Sequence, residues 1–346
     1  MSGHQVRQES RKKSWLIMLS TAALILTLFG SAVSPLFAGG RNALYFFELQ
    51  AVSAYNFSEK SFESFSYLSH HPMQKNGLGL ETLVRFYRRK ADLGFLSLQA
   101  RAVYDSEHDL PIRFQLYNAF FRFKIPLAEI WSGHSKPALG LNYNLDNHAL
   151  LLPDATMLGH NLDRDWGVGL HHDFRWGDSA LSLTTGSGMS LKFHRNYLLS
   201  GRISYGVLAR DNYNLGFSAF TGRVLEAMET EGAVSGPVPW SGVALDVTYF
   251  WLNLETRLEA NLGRRAGQPW HLVLLRQGLN LLDEGRLKLE AQLGLWQHGS
   301  GWNYLAGPAL TYRLNSDLAL RTMFLYDSQA QNSRLAVQLY FYRSIF

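Results

Sequence analysis

The sequence predicts an all-β protein, a transmembrane antiparallel β-barrel of about sixteen strands. Three observations predict it. Segments of about ten residues alternate between apolar and polar side chains, which is the period of a strand and not of a helix. An N-terminal export signal is followed by no run of ~18 apolar residues, so no helical span follows it. The connections alternate between short and long, the pattern of an outer-membrane barrel with both chain ends on the periplasmic side.

The export signal comes first. Arg7, Arg11, Lys12 and Lys13 precede an apolar run from Trp15 to Phe29, then Ser31, Ala32, Pro35 and Ala38. These are the charged, apolar and small-residue regions of a secretory signal peptide, with cleavage expected after Ala38 or Ala32. Residues 1–38 are read as the signal and 39–346 as the barrel. The apolar run falls short of the ~20 residues that a membrane anchor needs. Without residues 1–38 the formal net charge drops from +5 to +2, so the basic balance belongs mostly to the signal and gives no reason to expect a nucleic-acid partner. The chain has no cysteine, which excludes disulfides and thiolate metal sites.

The clearest strand pair is Val243 to Leu262. Val243, Leu245, Val247, Tyr249 and Trp251 share one face, against Ala244, Asp246 and Thr248 on the other. After a tight bend at Leu252 and Asn253, Leu254, Thr256, Leu258, Ala260 and Leu262 oppose Glu255, Arg257, Glu259 and Asn261. Each half has the length of a tilted strand crossing a bilayer, and Tyr249 and Trp251 sit where an aromatic girdle belongs. The same pattern places strands near 43–55, 78–89, 93–104, 112–124, 127–134, 165–173, 179–184 and 197–209. The others are near 213–222, 241–251, 254–262, 270–280, 286–296, 302–314, 317–327 and 334–345. Parity slips at Leu116 and Tyr117, which predicts a bulge. Short turns fall at 90–92, 126, 175–178, 210–212, 252–253, 282–285 and 315–316, with longer connections between them. Sixteen strands are expected to enclose a water-filled lumen, whereas about eight would be filled by side chains.

The longest connection is 135–164. Its apolar clusters, Leu150 to Leu152 among them, argue against disorder and against a purely solvated loop. It is expected to fold inward and narrow the lumen. The block from Phe120 to Leu170 resembles Gram-negative outer-membrane porins, especially the phosphate- and pyrophosphate-selective ones. The similar elements are a strand ending in Gly133, Lys136, Pro137 and Leu139 to Gly140, then the long loop, then Arg164, Asp165, Trp166, Gly167, Val168 and Gly169. The resemblance implies a sixteen-stranded barrel whose third loop enters the pore, and homotrimers are common in that family. His134, Ser135 and Asn142 depart from the pattern, and no dense lysine ladder supports phosphate in particular. The C-terminal aromatics ending in Phe346 resemble the signal read by the barrel assembly machinery, although Ser344 departs from it.

The function expected is a channel for small hydrophilic solutes or ions in the bacterial outer membrane, with outer-membrane lipid around it and no cofactor or metal. Expected constriction residues are Lys136, Asn142, Asp146, His148 and Asp154. They face wall residues Arg101, Arg122 and Arg202, with Glu255, Arg257 and Glu259 also on the lumen face. Basic residues outnumber acidic ones on that face, so a mild anion preference is expected, set by rings of charge. Two rivals stand beside this reading. His298 and Ser300 resemble the rim His-x-Ser element of outer-membrane lipid hydrolases, but no third orienting group accompanies them. A barrel sheathing a partner protein would need a wide bore without an inward loop.

Overall fold

A computed structural model describes residues 43–67, 74–88, 91–106, 111–145, 150–225 and 236–345. The expected signal peptide and Phe346 lie outside the described residues. Seventeen strands follow in order: β1 (Ala43–Asn56), β2 (Ser61–Ser64), β3 (Gly77–Arg88), β4 (Ala91–Tyr104), β5 (Ile112–Ile125) and β6 (Ala128–Ser135). Next come β7 (Asp165–Asp173), β8 (Asp178–Thr184), β9 (Tyr197–Tyr205), β10 (Tyr213–Val224), β11 (Val238–Trp251) and β12 (Leu254–Arg265). The last are β13 (Gln268–Leu281), β14 (Leu287–His298), β15 (Gly301–Arg313), β16 (Leu318–Asp327) and β17 (Asn332–Ser344). No helix of the described residues is long and apolar enough to cross a membrane.

From β3 to β17 each strand pairs antiparallel with the next. β1 closes the sheet, pairing with β17 from Phe46↔Ser344 to Asn56↔Arg334 and with β3 on its other edge. The result is a closed sixteen-strand barrel, with β2 as an extra arm on the outer end of β1 from Ser53↔Ser64 to Asn56↔Ser61. Closure leaves no open edge and pairs the backbone groups that hydrocarbon cannot satisfy.

The strand faces follow the sequence parity. Along β11, Val243, Leu245, Tyr249 and Trp251 are exposed outward while Ala244, Asp246 and Thr248 are buried inward. Between β4 and β5 the register runs from Gln99↔Asn118 directly to Ala100↔Leu116. Tyr117 is therefore the extra residue of a bulge, where the parity slip predicted one. At the short-turn end an outward aromatic chain runs from Phe174 to Trp176 (4.8 Å), Tyr205 (6.3 Å) and Tyr213 (5.7 Å). This is the girdle expected where an apolar belt meets headgroups.

Some outer connections are shorter than the alternation suggests. β12 and β13 run on to Arg265 and Gln268, so only Ala266 and Gly267 join them. β14 and β15 are joined by Gly299 and Ser300 alone. β9, in contrast, stops at Tyr205, because Gly206 turns the chain with φ 92°, a conformation open to glycine.

The apolar belt makes depth-dependent costs predictable. Leu245 lies halfway along the outward face of β11, and Ser241 lies near its outer end. Leu245→Arg is expected to destabilise the barrel by about 2–4 kcal/mol, and Ser241→Arg by about 0–1 kcal/mol. Urea unfolding in phospholipid vesicles checks both.

Candidate functional site

The chain leaves the wall after β6 and returns to it at β7, and between these points the described residues 136–145 and 150–164 fold into the barrel. Leu139, Asn142, Leu151, Leu152, Ala155 and His160 are all buried. Apolar contact holds the loop on two sides. On one side Leu151, Leu152 and Ala155 join Val52, Leu272, Leu274, Trp296, Leu305, Met323, Leu325 and Ala336. On the other, Leu139 and Leu162 join Leu198, Phe220, Val224, Trp240 and Ala244. The lumen is therefore not uniformly ionic, as the strand pattern alone implies. The inward faces of β13 to β17 turn apolar where the loop needs a surface on which to bury its leucines.

Polar contacts fix the same loop. Arg276 Nη2 donates to the Leu152 and Pro153 carbonyls, both at 3.1 Å, and Gln292 Nε2 donates to Pro153 O at 2.8 Å. Trp270 Nε1 donates to Gly159 O at 3.0 Å. The loop's own N–H groups donate to the wall as well, Ala138 to Ser182 Oγ (3.0 Å) and Gly140 to Ser218 Oγ (3.1 Å). Gly140 has φ 58°, and a Cβ there would lie 2.2 Å from Glu259 Oε1. Glycine is needed at this point for conformation and for close approach to the wall.

The loop lies between two cavities. The inner one, about 590 Å³, is lined by Leu83, Phe95, Phe120 and Trp131, by Arg122, Lys136 and Arg164, and by Glu81, Asp173 and Asp178, among others. The outer one, about 310 Å³, is lined by Trp240, Trp270, Trp296, Arg265, His298 and the Met157–Leu162 turn, among others.

The expected constriction residues separate into groups. Lys136 lines the inner cavity together with Arg122, and its ammonium donates to Leu145 O. Asn142 is buried and donates to the Leu162 and Asp163 carbonyls at 3.3 and 3.4 Å, tying the loop's two arms together. Asp154 is also buried and accepts the Met157 N–H at 2.9 Å, which shapes the turn that follows it. Asp146 and His148 lie outside the described residues.

On the wall, five of the six expected charged residues have an ion partner. Arg101 pairs with Glu48 at 2.6 Å and Arg202 with Asp246 at 2.7 Å. Arg122 reaches Glu129 at 3.2 Å. Arg257 pairs with Glu255, and Lys288 bridges Glu255 (2.9 Å) and Glu290 (3.0 Å). Glu259 accepts from Asn261 Nδ2 at 3.4 Å beside Gly140. Sequence reasoning did not connect the bulge to this site. Tyr117 turns its ring inward, and Arg101 and Arg164 stack on it at 4.6 and 4.5 Å, so the bulge ties the loop's C-terminal arm to the wall.

Nor did the sequence show which histidines meet. His298 stacks on Trp270 at 3.7 Å, and its Nε2 lies 3.2 Å from both Leu158 O and His160 Nε2. No hydrogen bond joins it to Ser300 among the described residues, so the nucleophile–base contact that the hydrolase reading needs is absent from this geometry. Among the described residues no cluster of three or more metal-ligating side chains occurs. The inward loop also occupies the bore that a sheathing barrel would keep open.

The fold defined here is that of the outer-membrane porins, a closed sixteen-strand barrel with an inward loop. No protein-family model matches the sequence, and no curated protein matches it. Among solved structures it is similar to OmpF of Salmonella typhi, with TM-score 0.62 and 10% identity over 87% of this chain and 98% of that one. It is also similar to a loop-deletion form of the outer membrane protein OmpT of Vibrio cholerae (TM-score 0.61, 8% identity, 87% and 99% covered). The anion-selective porin from Comamonas acidovorans gives TM-score 0.57 at 11% identity, with 87% and 98% covered. The likeness is one of fold.

The loop contact carries a pH dependence. Burial, reinforced by His298, Arg265 and His271, pushes His160 from 6.5 down to about 2. A released loop would bind a proton near the ordinary histidine value, so acidification from about pH 6.5 favours release, and packing strengthens as pH rises through that window. Protection of the 150–162 amides, corrected for the pH dependence of intrinsic exchange, is expected to be lower at pH 4 than at pH 7, and His160→Asn should flatten the difference.

Proposed function

We propose that the chain is a channel for passive diffusion of small hydrophilic solutes or ions across the bacterial outer membrane. The observation that carries this reading is the long loop folded into a closed sixteen-strand barrel with a cavity on either side of it. The barrel provides the passage and residues 136–164 restrict it. On this reading 1–38 is the export signal, the barrel assembly machinery inserts the chain, and outer-membrane lipid surrounds it.

Lys136, with Asp146 and His148, is assigned to the constriction from the loop side, and Arg122 from the wall. Asn142 and Asp154 hold the loop's shape. The pairs among Arg101, Arg202, Glu255, Arg257 and their partners fix the wall and cancel much of its field. Ion preference is accordingly at most mildly anionic, since paired charges leave a weak net barrier. The trimer form of OmpT from Vibrio cholerae supports a homotrimer as the assembly to test first. No catalytic role is proposed.

Planar-bilayer conductance tests the reading. Stepwise currents are expected, and removal of 142–154 should enlarge each step. Leu152→Ala, which empties part of the apolar contact at a cost of about 2–5 kcal/mol, should add gating noise. A refolded barrel that gives no steps even without 142–154 would overturn the channel.

A further inference from the structure

The histidine contact beside the outer cavity is one that the channel reading does not use. His160 belongs to the turn that follows the buried leucines of the inward loop, and His298 is the last residue of β14. Their Nε2 atoms lie 3.2 Å apart. The Leu158 carbonyl oxygen stands 3.2 Å from the same His298 nitrogen. Two imidazole nitrogens and a carbonyl oxygen thus converge at the edge of the cavity, which His298 and Leu158 both line.

Each of the three is held in place from outside the group. The turn is closed by the N–H groups of Leu158 to Asp154 O (3.3 Å), Gly159 to Thr156 O (3.0 Å) and His160 to Ala155 O (2.7 Å). Trp270 Nε1 donates to Gly159 O at 3.0 Å, while the Trp270 ring lies flat on His298, 3.7 Å away and 9° from parallel. Asn261 Nδ2 donates to His160 O at 3.4 Å. Such support from neighbouring groups is what orients imidazole ligands. Two neutral imidazoles that meet Nε2 to Nε2 need a proton or a cation between them, because each nitrogen without its hydrogen offers only a lone pair. With metal bonds of ~2.0–2.1 Å, a 3.2 Å separation of the nitrogens gives an N–metal–N angle of about 100–106°, close to tetrahedral. The ionised residues lining the cavity are Arg265 and Asp327, whose charges cancel.

We propose that His160, His298 and the Leu158 carbonyl form a binding site for a divalent transition-metal ion of the zinc and copper class, which fastens the outer turn of the inward loop to β14. Imidazole nitrogen suits these ions, whereas calcium and magnesium seek sets of oxygen ligands. Three protein ligands leave a fourth position for water on the cavity side. The ligands come from a loop and a strand that meet only when the loop is folded inward. The ion therefore binds the packed loop in preference to a released one, and binding adds to the loop's attachment.

The test uses the full mature barrel, carrying no histidine tag and refolded in detergent, with Zn²⁺, Cu²⁺ and Ca²⁺ as probes in equilibrium dialysis at neutral pH. One tightly held Zn²⁺ or Cu²⁺ per barrel is expected, Cu²⁺ the tighter of the two, with no comparable uptake of Ca²⁺. The electron paramagnetic resonance spectrum of bound Cu²⁺ should show nitrogen coupling from two imidazoles. H160Q and H298Q, on different elements, should each weaken binding of that ion by about tenfold or more, whereas H172Q, on β7, should leave it unchanged. Zn²⁺ should also raise amide protection over 150–162, and H298Q should abolish the rise. Unchanged binding in both H160Q and H298Q would overturn the proposal, as would equal uptake of Ca²⁺ or a Cu²⁺ spectrum without nitrogen coupling. Bilayer conductance keeps the two readings apart: a barrel that conducts but holds no ion loses only this site, whereas one that holds the ion and never conducts loses only the channel.

Discussion

Everything in this barrel depends on closing the backbone hydrogen-bond ladder. A strand in hydrocarbon has nowhere else to place its N–H and C=O groups, and each one left unpaired costs several kcal/mol. β1 resolves this by pairing from Phe46 to Asn56 with β17 and on its other edge with β3, with β2 alongside its outer end. Once the ring is closed, the pleat assigns every second side chain to the inside. The ion pairs, the aromatic girdle and the seat for the loop are all consequences of that assignment.

A sixteen-strand ring is wider than its own inward side chains can fill, which leaves room for water and for a folded segment to enter the middle. Residues 136–164 do so, and they bring leucines with them. The wall responds with an apolar sector on β13 to β17 and β1, opposite which Leu151, Leu152 and Ala155 are buried. Many of the remaining wall charges pair within a strand, with the next strand or one strand beyond, while Glu259 and Arg276 take amide and carbonyl partners. The interior is thus part membrane-protein lumen and part ordinary hydrophobic core, and the cavities are what this packing leaves at either end.

The strands were legible because period two is a local property, visible in ten residues without knowledge of the partner. The bulge at Tyr117 was legible for the same reason, since one extra residue inverts the parity. β2 was not, because four residues cannot display a period. The apolar sector left a trace that is easier to interpret with the structure in hand: Leu272, Val273, Leu274 and Leu275 form a run without alternation, the mark of a strand covered on both faces. The meeting of His160 with His298 left none. It joins a loop to a strand more than a hundred residues away, and no local pattern encodes a contact of that kind. Asn142 and Asp154 show the related difficulty that a polar side chain in a pore loop can serve the loop's own backbone as readily as a solute.

The connections at the outer end are unevenly distributed around the ring. Apart from the inward loop after β6, those after β8 and β10 are long, whereas β12–β13 and β14–β15 turn in two residues each. The rim over β12 to β15 is therefore formed by the strand ends and two tight turns alone. The cavity lined by Trp270, Trp296 and His298 sits beside these two turns, so the hairpins that carry it place no long loop over it.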